Sequence, residues 1–152
     1  MERNMTSEAE AVVERIAEPV QVDRRSDPGV RKQMSGAAIR SFFNIADRWS
    51  LSVNERRALL GWPATSTYHK YKSGNTGTLS YDTLCRISLV LGVFKALHIL
   101  YPDPGLADRW IKLPNANPMF GGKPPIDFVT GGDMDALYRV RRLLDARRGG
   151  WN

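Results

Sequence analysis

The chain has 152 residues, of which 42% are hydrophobic and 25% are charged, and it carries a formal net charge of +6. This length allows one globular domain with a tail, or two small subdomains that share a core. The positive charge favours a polyanionic partner such as nucleic acid, or an acidic protein surface, and the single cysteine, Cys85, excludes an internal disulfide and indicates a reducing compartment.

Residues 1–33 are predicted to form a flexible N-terminal tail. They mix charges of both signs, include the pair Pro28-Gly29, and offer few apolar residues to a core. The first 18 residues are acidic rather than basic and apolar, so no signal peptide is predicted. A short helix over residues 7–17, capped by Ser7 with Glu10 three residues later, is compatible with this pattern.

Residues 34–79 are predicted to form a helix-turn-helix domain. A helix over residues 35–49 carries an apolar stripe suited to a core. Ser52 followed by Glu55 is a capping box that starts the next helix, and Gly61 is placed to end that helix in a left-handed turn. A further short helix follows. Two short helices joined by a tight glycine turn are the skeleton of a helix-turn-helix, whose second helix lies in the major groove of DNA.

The second helix of this pair, over residues 64–72, is chemically suited to DNA. Its hydroxyl, imidazole and ammonium groups can bind phosphate oxygens or base edges, while Tyr68 and Tyr71 are placed to anchor it on the core. The predicted DNA-binding residues are Arg56, Arg57, Thr65, Ser66, Thr67, His69, Lys70 and Lys72. A solvated helix face in a protein-interaction domain is the alternative, because helix-turn-helix geometry also occurs in proteins that do not bind DNA.

Residues 80–101 contain the longest nearly unbroken apolar run of the sequence, and they are predicted to form the central helix of the core. Ser80 is the predicted N-cap, and two apolar rows along the helix indicate burial on more than one side. Gly92 is expected to bend the helix or to split it. Arg86 and Lys95 interrupt the run, which argues against a membrane span, since such a span needs about 18 uncharged residues.

The C-terminal part, residues 80–152, continues with shorter elements. A short amphipathic helix is predicted to place Leu106, Trp110 and Leu113 on one side. The Pro- and Gly-rich residues 114–125 are predicted to form a loop that is pinned by Met119 and Phe120, and a short turn of helix is expected to follow and to end at two glycines.

A last helix is predicted from Asp133, its cap, to Arg148, with Leu137, Val140 and Leu144 facing the core. Five arginines lie within ten residues near its end, at Arg139, Arg141, Arg142, Arg147 and Arg148. A solvated basic face is the simplest interpretation of any one of them. Together they make a surface that could enter an acidic or phosphate-binding cleft.

Four blocks of the sequence agree in order and spacing with one family. They are Asp82 to Pro102, Trp110 with Leu113 to Pro125, Gly131-Gly132, and Leu137 to Gly150. These blocks resemble the MbcA/ParS/Xre antitoxins of bacterial toxin-antitoxin operons. The resemblance extends from about Ser35 to the C-terminus and is most specific in the C-terminal half, because the helix-turn-helix is of a widespread type.

The helical patterns and this resemblance imply an all-α fold, in which a helix-turn-helix subdomain packs on a C-terminal helical toxin-binding subdomain and shares one core with it. The resemblance implies a cytoplasmic antitoxin whose partner is a RES-domain toxin, an enzyme that consumes NAD or uses it to ADP-ribosylate a target. The antitoxin would cover the toxin's active site with its C-terminal helix. It would form a homodimer or a larger assembly with the toxin, and it would repress its own operon by binding operator DNA. The toxin-binding residues expected on this basis are Phe120, Phe128, Tyr138, Arg139, Arg141, Arg142, Arg147, Arg148, Gly149 and Gly150.

Two other classes of protein are possible. A stand-alone helix-turn-helix transcriptional regulator would use the C-terminal half for dimerisation or ligand sensing. An enzyme is disfavoured, because His69 and His98 have no Cys, carboxylate or second His at metal-ligand spacing, and no Gly-rich phosphate loop follows a strand. We therefore expect no catalytic residue, metal or cofactor, and we expect His98 to lie at the edge of the core.

Overall fold

The computed structural model of the chain describes residues 26–149. The helix expected over residues 7–17, most of the predicted tail, and Gly150 lie outside the described residues.

Seven α-helices and two short 3-10 turns make up the described range, and no strand occurs within it. The helices are α1 (Pro28–Arg48), α2 (Val53–Leu59), α3 (Thr65–Lys72), α4 (Tyr81–Leu100), α5 (Pro104–Arg109), α6 (Pro125–Gly131) and α7 (Met134–Arg148). The 3-10 turns are Trp110–Lys112 and Pro118–Phe120. The predicted all-α fold is confirmed, and buried residues from all parts of this range form one core.

Helix α4 lies at the centre of that core. The Oγ of Ser80 accepts a hydrogen bond from the backbone N–H of Thr83 at 3.1 Å, as expected of an N-cap. Helices α1 and α7 both pack against α4. The side chains of α4 that they help to bury include Leu84, Ile87, Val90, Leu91, Val93, Phe94 and Leu97. Helix α4 is therefore buried on more than one side, as its two apolar rows predicted.

Gly92 does not split α4, which runs without a break from Tyr81 to Leu100. The expected division of the helix into two was wrong. A Cβ atom at position 92 would lie 2.6 Å from guanidinium atoms of Arg141 in α7. The glycine therefore makes room for the side chain of Arg141, which lies across α4.

Helix α1 begins at Pro28, inside the stretch predicted to be tail. The side chain of Asp27 accepts a hydrogen bond from the N–H of Gly29 at 2.8 Å and caps the helix. Proline is favourable at the first helical position, where its missing N–H would have no intrahelical partner. The expected start of this helix at Ser35 was wrong for that reason. The other limits of the predicted domains stay a prediction.

A buried serine joins α1 to the loop that precedes α4. Ser35 is fully buried, and its Oγ accepts a hydrogen bond from the N–H of Leu79 at 2.9 Å and donates one to the carbonyl oxygen of Arg31. The N–H of a buried loop residue needs such a partner, since water does not reach it. The hydroxyl of Ser35 therefore connects α1 to Leu79, in the loop that leads into α4.

A second polar joint lies where α1, α4 and α5 meet. Asp108 accepts a hydrogen bond from Nε of Arg48 at 3.1 Å, and its other oxygen lies 2.8 Å from Nε2 of His98. The ring of Phe94 lies 4.2 Å from the His98 ring and 5.1 Å from Cζ of Arg48, measured to the ring centroids. His98 lies at the edge of the core, as predicted, and the carboxylate of Asp108 is its polar partner.

The segment between α4 and α6 buries a different face from the predicted one. Leu106 and Leu113 are 36% and 42% exposed, whereas Trp110 and Ile111 are buried. The α-helix ends at Arg109 and passes into a 3-10 turn. Because the rotation per residue changes there, positions counted with α-helical spacing no longer share one side.

By length and hydropathy alone, α4 is the one helix of residues 26–149 that could cross a membrane. However, 61% of its apolar window is buried inside the protein by the packing of other helices. The apolar character of α4 is explained by its position in the core of the protein.

We expect Ser35→Ala to lower the free energy of unfolding by about 1 to 3 kcal/mol, because it leaves the buried N–H of Leu79 without its acceptor. Urea unfolding followed by circular dichroism measures the change. Ser41→Ala is the matched control, since Ser41 is also a buried serine of α1, and it should change stability by less than about 1 kcal/mol. Equal losses in the two variants would show that the Ser35 hydrogen bond has no special role.

Candidate nucleic-acid and protein interfaces

Helices α2 and α3 form the predicted helix-turn-helix pair. In the capping box of α2, the N–H of Ser52 donates to Oε1 of Glu55 at 2.8 Å, and the N–H of Glu55 donates to Oγ of Ser52 at 3.1 Å. Gly61 follows the helix with φ of +86°, so the predicted left-handed turn is confirmed. Arg86 of α4 covers this turn, and a Cβ atom at position 61 would lie 2.8 Å from its Nε. The positive φ favours glycine here, and any larger residue would also displace the Arg86 side chain.

Two tyrosines anchor α3 on the core, as predicted. Tyr68 is fully buried, and its ring meets the ring of Phe43 edge-on with the centroids 5.7 Å apart. Tyr71 is half-buried, and burial raises the pKa of its phenol above the ordinary value of 10.0, so the phenol stays neutral at physiological pH. The buried hydroxyl of Tyr68 has no hydrogen-bond partner among the described residues.

The outward face of α3 is polar and has no carboxylate. Its exposed residues are Thr65, Ser66, His69, Lys70 and Lys72, with Thr67 half-buried beside them. From Arg56 to Tyr81 the sequence contains four Lys or Arg residues and no Asp or Glu. The local potential is therefore positive, and it favours the approach of a phosphate backbone.

Arg56 and Arg57 differ from the other predicted DNA-binding residues because their guanidinium groups have partners inside the protein. Arg56 donates from Nε to the carbonyl oxygen of Leu51 at 2.9 Å and pairs with Asp47 at 2.8 Å. Arg57 donates from Nε and Nη2 to the carbonyl oxygen of Pro63 at 3.2 and 3.0 Å. Arg56 therefore ties α2 to the end of α1, and Arg57 ties α2 to the turn before α3. Spacing alone could not distinguish these roles from phosphate binding.

The turn also carries an exposed tryptophan that the sequence pattern did not single out. Trp62 is 56% exposed and has φ of +61°. A residue held in a left-handed conformation without glycine's freedom costs about 1 to 3 kcal/mol. The Cζ of Arg57 lies 5.5 Å from the centroid of the indole ring. The sequence signal for this feature is an aromatic residue directly after the glycine that ends α2.

Helix α7 provides a second surface. Asp133 caps it and accepts a hydrogen bond from the N–H of Asp135 at 2.9 Å, as predicted. The buried side chains, which face the core, are Ala136, Leu137, Val140 and Leu144. The exposed side chains are those of Asp135, Tyr138, Arg139, Arg142, Asp145, Ala146, Arg147 and Arg148, so four arginines stand beside two carboxylates. The helix is therefore divided into an apolar inner face and a largely cationic outer face.

Aromatic rings support two of these arginines. The Cζ of Arg139 lies 5.6 Å from the ring centroid of Phe128, and the Cζ of Arg142 lies 5.7 Å from that of Tyr138. Phe120 is buried, and its ring meets that of Phe128 edge-on with the centroids 5.7 Å apart. Phe120 therefore supports this surface from below. It also pins the Pro- and Gly-rich loop, as predicted, because it packs edge-on against Trp110.

The remaining residues predicted to bind a partner lie in other surroundings. Arg141 points to α4 at Gly92 and pairs with Asp145, with 3.5 Å between Nε and Oδ2, so its side chain is only 22% exposed. Arg148 lies 3.9 Å from the same carboxylate. Gly149 follows α7 as its C-cap. Gly150 lies outside the described residues.

An open cavity of about 390 Å³ lies where α6 meets α7. Its lining includes Asp127, Asp133 and Asp135 beside Phe128 and Arg139. The N-terminal end of α7 is thus acidic and its C-terminal end basic, an order that suits the helix dipole. Within residues 26–149, no group of three or more His, Cys, Asp or Glu residues could hold a metal ion.

The two surfaces and the shared core define a helix-turn-helix protein with an added C-terminal helical domain. Residues 28–92 match the family model of the antitoxin Xre-like helix-turn-helix domain. Residues 96–150 match the model of the antitoxin Xre/MbcA/ParS C-terminal toxin-binding domain. The chain belongs to the Xre/MbcA/ParS antitoxin family.

A relative in Sinorhizobium fredii (strain NBRC 101917 / NGR234) is the uncharacterized protein y4oB. The two sequences are 42% identical over 135 residues, which is 89% of this chain and 100% of y4oB. No solved structure matches the chain.

We expect Tyr68→Phe to leave the stability of the protein unchanged or to raise it by up to about 1 kcal/mol, because it removes a buried hydroxyl that has no partner. Tyr68→Ala should cost about 3 to 5 kcal/mol, since it removes the ring that holds α3 on the core. Chemical denaturation of both variants measures these changes. A loss of more than about 2 kcal/mol in Tyr68→Phe would show that the hydroxyl is hydrogen-bonded in solution.

Proposed function

We propose that the chain neutralises a RES-domain toxin, which consumes NAD or uses it to ADP-ribosylate a target, by covering the toxin's active site with α7. In this proposal the antitoxin acts in the cytoplasm and has no catalytic activity of its own. The match of residues 96–150 to a toxin-binding domain supports an antitoxin over a stand-alone transcriptional regulator.

The outer face of α7 is the observation that carries this proposal. Arginine forms bidentate hydrogen bonds with carboxylates, and tyrosine and arginine are the residue types that contribute most to protein interfaces. Arg142, Arg147 and Arg148 can pair with acidic residues at the entrance of an enzyme cleft, and Tyr138 offers an apolar anchor beside them. Because the inner face of α7 already packs on α4, the outer face can bind without unfolding.

A second activity in this proposal is repression of the antitoxin's own operon through α3. The exposed hydroxyl, imidazole and ammonium groups of α3 suit phosphate oxygens and base edges. One helix-turn-helix reads a single half-site, so tight operator binding requires a dimer or an assembly bridged by the toxin.

Reversing two charges on α7 should weaken toxin binding without unfolding the chain. We expect Arg139→Glu combined with Arg142→Glu to raise the Kd for the operon-encoded toxin on the order of 100-fold, because both arginines are exposed and would face acidic groups of the toxin. Calorimetric titration of the purified pair measures the Kd, and survival of toxin-expressing cells measures neutralisation.

Arg40→Glu combined with Arg109→Glu is the matched control for this variant. It makes the same change of net charge at two exposed arginines of α1 and α5. Toxin binding should be retained in the control. Equal losses of affinity in both double variants would show that net charge, and not the face of α7, governs the interaction.

Lys70→Ala should weaken binding to the DNA upstream of the operon and should lower the slope of log K against log salt concentration by about 1, as expected for the loss of one phosphate contact. Gel-shift titrations at several salt concentrations measure both quantities. Lys123→Ala, at an exposed lysine of the C-terminal half, is the control. A wild-type chain that shifts no DNA, alone or with its toxin, would leave toxin binding as the only activity.

A further inference from the structure

Trp62 is the most exposed of the large apolar side chains of residues 26–149, with 56% of its surface open to solvent. Its backbone also has a positive φ, directly after the positive φ of Gly61, although a left-handed helix cap needs only one such residue. Neither the exposure nor the conformation is explained by packing, since the residue is absent from the core. An exposed tryptophan that also carries backbone strain points to a role outside folding.

Both the backbone and the indole ring of Trp62 contact Arg57. The backbone N–H of Trp62 donates to the carbonyl oxygen of Arg57 at 2.7 Å, and the guanidinium of Arg57 lies over the indole ring with 5.5 Å between Cζ and the centroid. The same guanidinium donates two hydrogen bonds to the carbonyl oxygen of Pro63. Arg57 therefore contacts both Trp62 and Pro63. This restricts the Trp62 side chain before binding, so a partner loses less side-chain entropy when it binds.

The position and the charge of the residues around Trp62 indicate which kind of partner it could bind. Trp62 precedes the first residue of α3, Thr65, by three positions, and the sequence has no Asp or Glu between Glu55 and Asp82. The carboxylate of Asp82 is paired with Arg86, the side chain that covers Gly61, at 2.9 Å. In a helix-turn-helix the second helix enters the major groove with its N-terminal residues, so the turn before it lies against the sugar-phosphate backbone at the edge of the groove. An indole offers an N–H donor for a phosphate oxygen and an apolar face for a deoxyribose.

We propose that Trp62 is a DNA-backbone contact, positioned by Arg57, that sets the register of α3 in the major groove. This inference rests on the proposed binding of α3 to DNA. The contact is to the backbone, so it contributes to affinity for any duplex and does not read the sequence.

Trp62→Gly tests the assignment, because folding and DNA binding should change in opposite directions. Glycine adopts a positive φ without strain, so the thermal midpoint of the full chain should stay unchanged or rise. The affinity for a labelled operator duplex should fall about tenfold, and the affinity for an unrelated duplex should fall by a similar factor. Fluorescence anisotropy measures both affinities. Ile99→Ala, at another exposed apolar residue, should change neither.

Three results would overturn the assignment while the wild-type chain still binds DNA. Unchanged affinity in Trp62→Gly would remove the contact, and a clearly lower thermal midpoint would make Trp62 a packing residue. Loss of DNA binding only together with a change of oligomeric state, measured by sedimentation, would place Trp62 between two copies of the chain. A wild-type chain that binds neither duplex would overturn this inference and the proposed DNA binding together.

Discussion

The burial of α4 between α1 and α7 is the constraint on which the rest of the structure depends. An apolar helix of this length is stable in water only if other helices cover it, and here the helix-turn-helix half covers one side and the toxin-binding half another. The two halves therefore share one core. Ser35 and Asp108 fix the orientation of this packing, because each satisfies polar groups that the contact would otherwise bury without partners.

This arrangement leaves two separate outward surfaces. Helix α3 is anchored by Tyr68, and helix α7 by a row of aliphatic side chains, so each presents its polar face from a rigid support. The carboxylate-free stretch around α3 suits a phosphate backbone, whereas the paired aromatic and arginine side chains of α7 suit a protein partner. The two surfaces consist of different residues, so the proposed binding of DNA and of a toxin would not use the same side chains.

Much of this architecture was predictable from the sequence, because local signals carry it. The capping box at Ser52, the left-handed turn at Gly61 and the cap at Asp133 each depend on a few neighbouring residues. Features that depend on distant residues were not predictable. A glycine inside an apolar helix suggests a break in that helix, and only the structure shows that the Arg141 side chain occupies the space beside Gly92. Likewise, the sequence cannot distinguish Arg57 from a phosphate-binding arginine. Only the structure shows that its guanidinium donates to the carbonyl oxygen of Pro63.

The most direct test of the central claim is a structure of the chain bound to the toxin encoded in its operon. We predict that α7 stays packed on α4 and that its outer face, with Tyr138, Arg139 and Arg142, lies across the entrance of the toxin's active site. A complex in which that entrance is open, or in which α7 has left α4 or points away from the toxin, would contradict this account.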